Sequence, residues 1–187
     1  MWNGLRHLPN LICILRILLI LPIVTALDEG RFALALVLFV IAAVSDGVDG
    51  FLAKHFRWTS DIGRFLDPLA DKLLLVAVFL AASWAAIVPW WLAAAVIGRD
   101  VMIGVGAMIF RVWFGPLQGK PTLISKFNTL MQILVLCAAI VVAAWTALPR
   151  EIVAALAVGT FVTTVVSGAD YLRQFVGRAW VLPPRPR

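Results

Sequence analysis

Six stretches of this chain, roughly 8–27, 32–53, 65–86, 89–111, 124–147 and 150–172, are long and apolar enough to cross a bilayer. A span needs about 20 predominantly apolar residues, and in hydrocarbon only a helix satisfies its backbone polar groups within one segment. The expected fold class is all-α: a polytopic membrane protein with six transmembrane helices, forming a single membrane domain over residues 1–187. With 63% hydrophobic and 14% charged residues, little chain remains to build anything outside the bilayer.

Lys and Arg set the expected orientation. With the N-terminus inside, one side holds Arg6, Lys54, Arg57, Arg64, Arg111, Lys120, Lys126, Arg173, Arg178, Arg185 and Arg187, against Arg31 and Arg150 on the other. Positive charge concentrates on the cytoplasmic side, so both termini are expected in the cytosol. Trp84, Trp90 and Trp91 then fall in the outer aromatic belt. The net charge of +6 suggests nucleic acid only if a soluble basic domain exists, and none does; a rim attracted to anionic lipid headgroups is the better reading. Cys13 and Cys137 lie in apolar runs and read as small buried hydrophobes, silent on redox compartment. Arg6 and His7 before an apolar run mimic a signal peptide. Arg16 interrupts that run and no small-residue cleavage site precedes Asp28, so the segment reads as a retained first span. Residues 1–8 are expected as an interfacial segment or a disordered lead-in, and 180–187 as a loose basic tail.

Four carboxylates break the apolar pattern. Asp46, Asp49, Gly50 and Ala53 stand at i, i+3, i+4 and i+7, one face of a helix; Gly63, Asp67 and Asp71 stand at i, i+4 and i+8, again one stripe. Like charges about 4 Å apart repel by roughly 4 kcal/mol per pair at an effective dielectric near 20. Clustered aspartates must therefore take up protons or bind cations. With no His or Cys in the pattern, hard cations such as Mg²⁺, Mn²⁺ or Ca²⁺ suit the site better than Zn²⁺. A two-metal centre beside small residues points to handling of a phosphate or pyrophosphate. Purely structural use is the weaker reading, because an acid within a span costs roughly 2.5–3.5 kcal/mol even on lenient scales.

Other polar residues enter the spans. Arg16 lies two turns into the first and either snorkels to the interface or reaches a substrate phosphate. Arg99 and Asp100 are neighbours on the fourth, so each is expected to need its own partner on another helix. Asn128 and Gln132, at i, i+4 on the fifth, read either as interhelical hydrogen-bond glue or as functional groups. Lys126 sits at the headgroup level of an anionic acceptor. Gly50, Ala53 and Gly63 permit close helix packing, or admit a flat ligand such as a nucleotide base.

Asp46-x-x-Asp49-Gly50-x-x-Ala53-Lys54, then eight residues, then Gly63-x-x-x-Asp67-x-x-x-Asp71, resembles the signature of the CDP-alcohol phosphatidyltransferases. Lys54 departs from it, standing where the family usually has Arg; charge is kept but the bidentate fork is lost. Residues Pro9, Asn10, Cys13 and Arg16 resemble the family's first span, with Cys13 where Thr is common. The resemblance implies a six-helix membrane enzyme, usually a homodimer. It moves a phosphatidyl group from a CDP-lipid to an alcohol and releases CMP. Carried over by position, Asp46, Asp49, Asp67 and Asp71 would bind two divalent metal ions (Mg²⁺ or Mn²⁺). Asp71 would also be the base that accepts the acceptor's proton. Gly50, Ala53, Lys54, Gly63 and Asn10 would contact the CDP-lipid, and Arg99, Lys126, Arg16 and Asn128 the acceptor. The implied location is a bacterial cytoplasmic membrane, with the active site facing the cytosol.

Within the family, the stretches around Arg99-Asp100 and Pro121–Gln132 resemble the CMP-forming cardiolipin synthases. That implies CDP-diacylglycerol as donor and phosphatidylglycerol as acceptor. The nearest alternative, phosphatidylglycerophosphate synthase with glycerol 3-phosphate as acceptor, tends to carry Arg-Glu in the fourth span and a Gly-Lys-x-Lys-Thr run before the fifth. One fewer fixed cation suits a phosphodiester better than a phosphomonoester dianion. The phosphohistidine route to cardiolipin needs paired His-x-Lys motifs, which His7 and His55 do not supply. A divalent-cation transporter could use the same acids, but such proteins place them near the midplane within repeats, and no repeat is visible. A non-catalytic scaffold would be indifferent to loss of any aspartate.

Overall fold

The computed structural model describes the backbone at 8–56, 63–113, 122–145 and 149–181, and side chains at 13–45, 70–110, 113, 122–145 and 149–177. Six α-helices and no strand occur among the described residues: α1 (Leu8–Asp28), α2 (Phe32–Phe56), α3 (Gly63–Trp84), α4 (Trp90–Trp113), α5 (Leu123–Trp145) and α6 (Arg150–Val181). Each apolar stretch became one helix, with ends within three residues of expectation except at α6. There the apolar run fades near Arg173, but the helix continues to Val181. Phe175 explains the continuation, since it packs on Phe110 of α4 and on Tyr171, with ring centroids 6.3 and 6.2 Å apart. At about 1.5 Å per residue its 32 residues outrun a hydrocarbon core of about 30 Å.

Among the described residues, three helical segments are long and apolar enough to cross a membrane: Trp90–Phe110, Leu123–Trp145 and Arg150–Gly177, with mean hydropathy 1.8, 2.2 and 2.0. The described apolar stretch of α2, Phe32–Ser45, is shorter. Residues 1–7 and 182–187 lie outside the described residues.

Short connections close with the hydrogen bonds that helix ends require. After α1, the Arg31 N–H donates to the Ala26 carbonyl (2.8 Å) and the Gly30 N–H to the Leu27 carbonyl (3.2 Å). This six-to-one plus five-to-two pattern needs a left-handed residue, and Gly30 supplies it at φ +70°. Arg31 and Glu29 also form an exposed ion pair there. The same pattern ends α3: Ile87 N–H to Ala82 O (3.0 Å) and Ala86 N–H to Ser83 O (3.1 Å). Here the left-handed position holds Ala86, φ +57°, and Pro89 then blocks further helix. At the start of α5, Thr122 Oγ1 accepts from the Ser125 N–H (3.2 Å), an ordinary N-cap.

The helices fall into two compact units. In the first, comprising α1, α2, α3 and the C-terminal part of α5, α1 packs against both α2 and α3. Its buried face carries Cys13, Arg16, Ile23, Ala26 and Leu27, met by Ala35, Phe39 and Ala42 of α2 and by Ala70, Leu74, Val78, Phe79 and Ala82 of α3. Each set repeats every three or four residues, the period of a one-faced helix. The second unit comprises α4, the N-terminal part of α5, and α6. Arg99, Asn128, Gln132, Thr160, Thr164 and Ser167 are buried in it. Leu123, Phe127, Val158, Val162, Val105 and Met108 are exposed. Polar inside and apolar outside is the arrangement of helices whose solvent is lipid.

Candidate active site

α2 runs unbroken from Phe32 through the motif to Phe56, and Ser45 settles its own hydroxyl by donating to the Ile41 carbonyl (2.7 Å). α3 begins at Gly63. The backbone therefore puts Asp46, Asp49, Gly50 and Ala53 on one helical face and Gly63, Asp67 and Asp71 on another, as their spacing requires. Asp46, Asp49, Gly50, Ala53, Lys54, Gly63, Asp67 and Asn10 are helical, and their side chains lie outside the described residues. Asp71 is described: it is half-buried, partnered, and follows the fully buried Ala70. Four carboxylates with no softer ligand among them match the needs of a hard divalent cation. Among the described residues no group of three or more His, Cys, Asp or Glu forms a competing centre.

Arg16 is 1% exposed, within the α1–α2–α3 unit. That burial speaks against snorkelling to the interface, one of its two expected readings. A guanidinium cannot shed its charge on burial and must be held by partners, which Arg16 has.

Arg99 is the polar centre of the second unit, 9% exposed. Its Nη2 donates to Ser125 Oγ (2.8 Å) on α5 and to Ser167 Oγ (2.5 Å) on α6, and its Cζ lies 5.5 Å from the centroid of the Tyr171 ring. Nη1 donates to Asp100 Oδ1 at 2.6 Å. Arg99 thus finds the partners on other helices that its position called for, and the expectation that it does not meet Asp100 is corrected. The rule against i, i+1 contacts concerns Cβ directions, and the long Arg stem bends around the helix to reach its neighbour. Gly168 of α6 lies beside that stem, where a Cβ would make ordinary contact with Arg99 Cγ at 3.7 Å and Met102 Cε at 3.4 Å. Among the described residues, Arg99 Nε has no hydrogen-bond partner.

One turn further along α5, Asn128 Oδ1 accepts from Thr163 Oγ1 (2.8 Å) and Thr164 Oγ1 (2.9 Å). Thr160 Oγ1 donates to its own helix at Leu156 O (2.8 Å) and across to Met131 O (3.2 Å). Asn128 is thereby interhelical glue, and its Nδ2, like Gln132 Nε2, is buried without a partner among the described residues. Lys126 is exposed on the same helix. The α6 partners were missed from sequence. Their signal was present: Thr160, Thr164, Ser167 and Tyr171 repeat at i, i+4, i+7 and i+11 in an otherwise apolar segment.

The fold and its motif define a class before any particular relative is considered: a helical membrane protein with two acid-bearing helices joined by a short basic loop. The chain belongs to the CDP-alcohol phosphatidyltransferase family, whose model matches residues 6–166. It is 30% identical to a probable CMP-forming cardiolipin synthase of Drosophila melanogaster, over 91% of this chain and 58% of that protein. It is 32% identical to the CMP-forming cardiolipin synthase of Homo sapiens, over 71% of this chain and 50% of that protein. The chain thus spans between half and three-fifths of those two relatives. It is 31% identical to the CDP-diacylglycerol–glycerol-3-phosphate 3-phosphatidyltransferase of Bacillus subtilis, over 88% of this chain and 93% of that protein.

Proposed function

We propose that this protein transfers the phosphatidyl group of CDP-diacylglycerol to a hydroxyl of phosphatidylglycerol, giving cardiolipin and CMP. The feature that carries the acceptor choice is the charge of the acceptor motif, which lacks one of the fixed cations of the Gly-Lys-x-Lys-Thr run and keeps Lys126 at the start of α5. Such a set matches the single negative charge of a phosphodiester. The cardiolipin synthases among the relatives support the same reading, as does an apolar groove of about 350 Å³ on the α5–α6 face, lined by Leu123, Ile124, Phe127, Val162, Thr163 and Val166, which would take an acyl chain. A second reading, glycerol 3-phosphate as acceptor, is favoured by the nearly full-length match to the Bacillus subtilis enzyme.

In this mechanism the acceptor hydroxyl oxygen attacks, in line, the phosphorus that bears diacylglycerol. The bond from that phosphorus to the bridging oxygen breaks, and its electron pair leaves with CMP. Asp71 receives the hydroxyl proton. Asp46, Asp49, Asp67 and Asp71 would hold two divalent ions, which when bound neutralise the pyrophosphate and the departing phosphate. Gly50, Ala53 and Gly63 line the cytidine, with Lys54 and Asn10 on the CDP-lipid. Arg99 and Lys126 seat the acceptor phosphate, with Asn128 and Arg16 in supporting contact. The enzyme is a six-span homodimer with both termini and the active site in the cytosol, in a bacterial cytoplasmic membrane.

Purified protein given CDP-diacylglycerol with either phosphatidylglycerol or glycerol 3-phosphate should yield cardiolipin from the first as the main lipid product by mass. Phosphatidylglycerophosphate alone would reverse the acceptor assignment.

A further inference from the structure

The apolar groove lies where the first turns of α5 meet the middle of α6: Leu123, Ile124 and Phe127 on one wall, Val162, Thr163 and Val166 on the other. Hydrogen bonds hold the walls together. Asn128 Oδ1 accepts from Thr163 and Thr164, and Thr160 Oγ1 donates to the Met131 carbonyl. Thr163 thereby turns its hydroxyl proton to the buried Asn128, and the rest of the lining is aliphatic or aromatic. At about 350 Å³ the groove sits at the small end of small-molecule sites, with room for a chain rather than a helix.

The apolar track continues past the groove. On α5 Leu130 and Leu134 are exposed at i+3 and i+7 from Phe127, and on α6 Val158 is exposed at i−4 from Val162. Leu123 to Leu134 is about 16 Å of helix, close to half of a hydrocarbon core of about 30 Å. That is one leaflet, the reach of one acyl chain. Lys126 is exposed in the first turn of α5, at the head of the track. An apolar furrow with a cation at its head is complementary to an anionic phospholipid. A two-fold contact through this face would instead bring two Lys126 residues into one apolar interface.

We propose that this groove holds one acyl chain of the acceptor phospholipid, with that lipid's phosphate at Lys126. The proposal rests on the reading that the acceptor is phosphatidylglycerol. Leu123, Ile124 and Phe127 belong to the same Pro121–Gln132 stretch as Lys126, whereas the CDP-lipid motif lies on α2 and α3 in the other unit. The chain is therefore the acceptor's and not the donor's. Surrounding lipid tails are as apolar as the groove, so hydrophobicity gives the bound chain no advantage. Selection comes from Lys126, and seating from carbon contacts with the lining. Recognition thus reads a chain that glycerol 3-phosphate lacks.

Three lipids test this on the full-length protein in phosphatidylcholine vesicles: phosphatidylglycerol, phosphatidylcholine and CDP-diacylglycerol, each with a diazirine midway along one chain. After photolysis, labelled peptides are mapped by mass. At equal mole fraction phosphatidylglycerol should label the groove about fivefold more than phosphatidylcholine, the selectivity that one cation at headgroup level provides, and more than CDP-diacylglycerol. Lys126→Gln should abolish that selectivity. Val162→Trp, on the exposed face of α6, should raise the KM for phosphatidylglycerol roughly fivefold, the worth of about ten lost carbon contacts. The change should fall on that KM and not on the KM for CDP-diacylglycerol. Stronger labelling by CDP-diacylglycerol gives the groove to the donor and overturns the proposal. Cardiolipin formation with equal labelling by phosphatidylglycerol and phosphatidylcholine also overturns it, and leaves the acceptor reading standing. A groove that no probe labels, in a dimer that Val162→Trp splits, belongs to a second copy and overturns it too. Absence of cardiolipin among the products overturns the acceptor reading itself, and the proposal with it.

Discussion

At the scale of single residues, position on a helix was legible and partnership was not. Asp46, Asp49, Asp67 and Asp71 could be assigned to shared faces because helical spacing alone does so, and α2 and α3 run through them as helices. Arg99 stood out as a charge in an apolar run. Its contact with Asp100 did not, because the length and bend of an arginine stem are invisible to a rule about Cβ directions. Arg16 was ambiguous for a similar reason: an arginine that snorkels to the interface and one that turns inward toward a substrate phosphate share one sequence, and the burial of Arg16 speaks against the first. Of the four aspartates, Asp71 has the most specific proposed duty. Asp71→Asn keeps the shape and removes the proton acceptor. CMP release should fall by about 10²-fold or more, with the thermal unfolding of the purified protein unchanged. Full turnover by this variant would remove Asp71 as the base.

At the scale of elements, the six helices followed from hydrophobic length, and most of their ends from turn chemistry. Gly30 after α1 and Pro89 after α3 are signals that a reader of sequence can use. Ala86 gives no such signal, yet it occupies the same left-handed position as Gly30. An L-residue there costs roughly 1–2 kcal/mol relative to its relaxed conformation, partly offset by the entropy that glycine would lose. Ala86→Gly should therefore stabilise by about 1 kcal/mol and raise the unfolding midpoint by roughly 2–4 °C. A lower midpoint would mean that the methyl group packs more than it strains. The overshoot of α6 was illegible for a different reason. Hydrophobicity reports where lipid ends, whereas Phe175 continues to find Phe110 beyond the apolar run. Gly106 on α4 belongs to the same contact, since a Cβ there would come within 2.8 Å of the Phe175 ring.

At the scale of the whole molecule, the motif is what joins sequence to chemistry. Family membership rests on a match covering residues 6–166, and the relatives divide between two acceptors. That division is physical as well as nominal. Both acceptors offer a glycerol hydroxyl and a phosphate, so the shared machinery need not differ, and on the proposed reading discrimination falls to the fixed cations near the start of α5, Lys126 among them. The common machinery is the central claim: carboxylates of α2 and α3 that act through divalent ions to expel CMP. CMP release from CDP-diacylglycerol plus phosphatidylglycerol, measured in metal-free buffer and again after adding Mg²⁺ or Mn²⁺, tests it most directly. Release should be absent without metal and restored by its addition; equal release in metal-free buffer would contradict it.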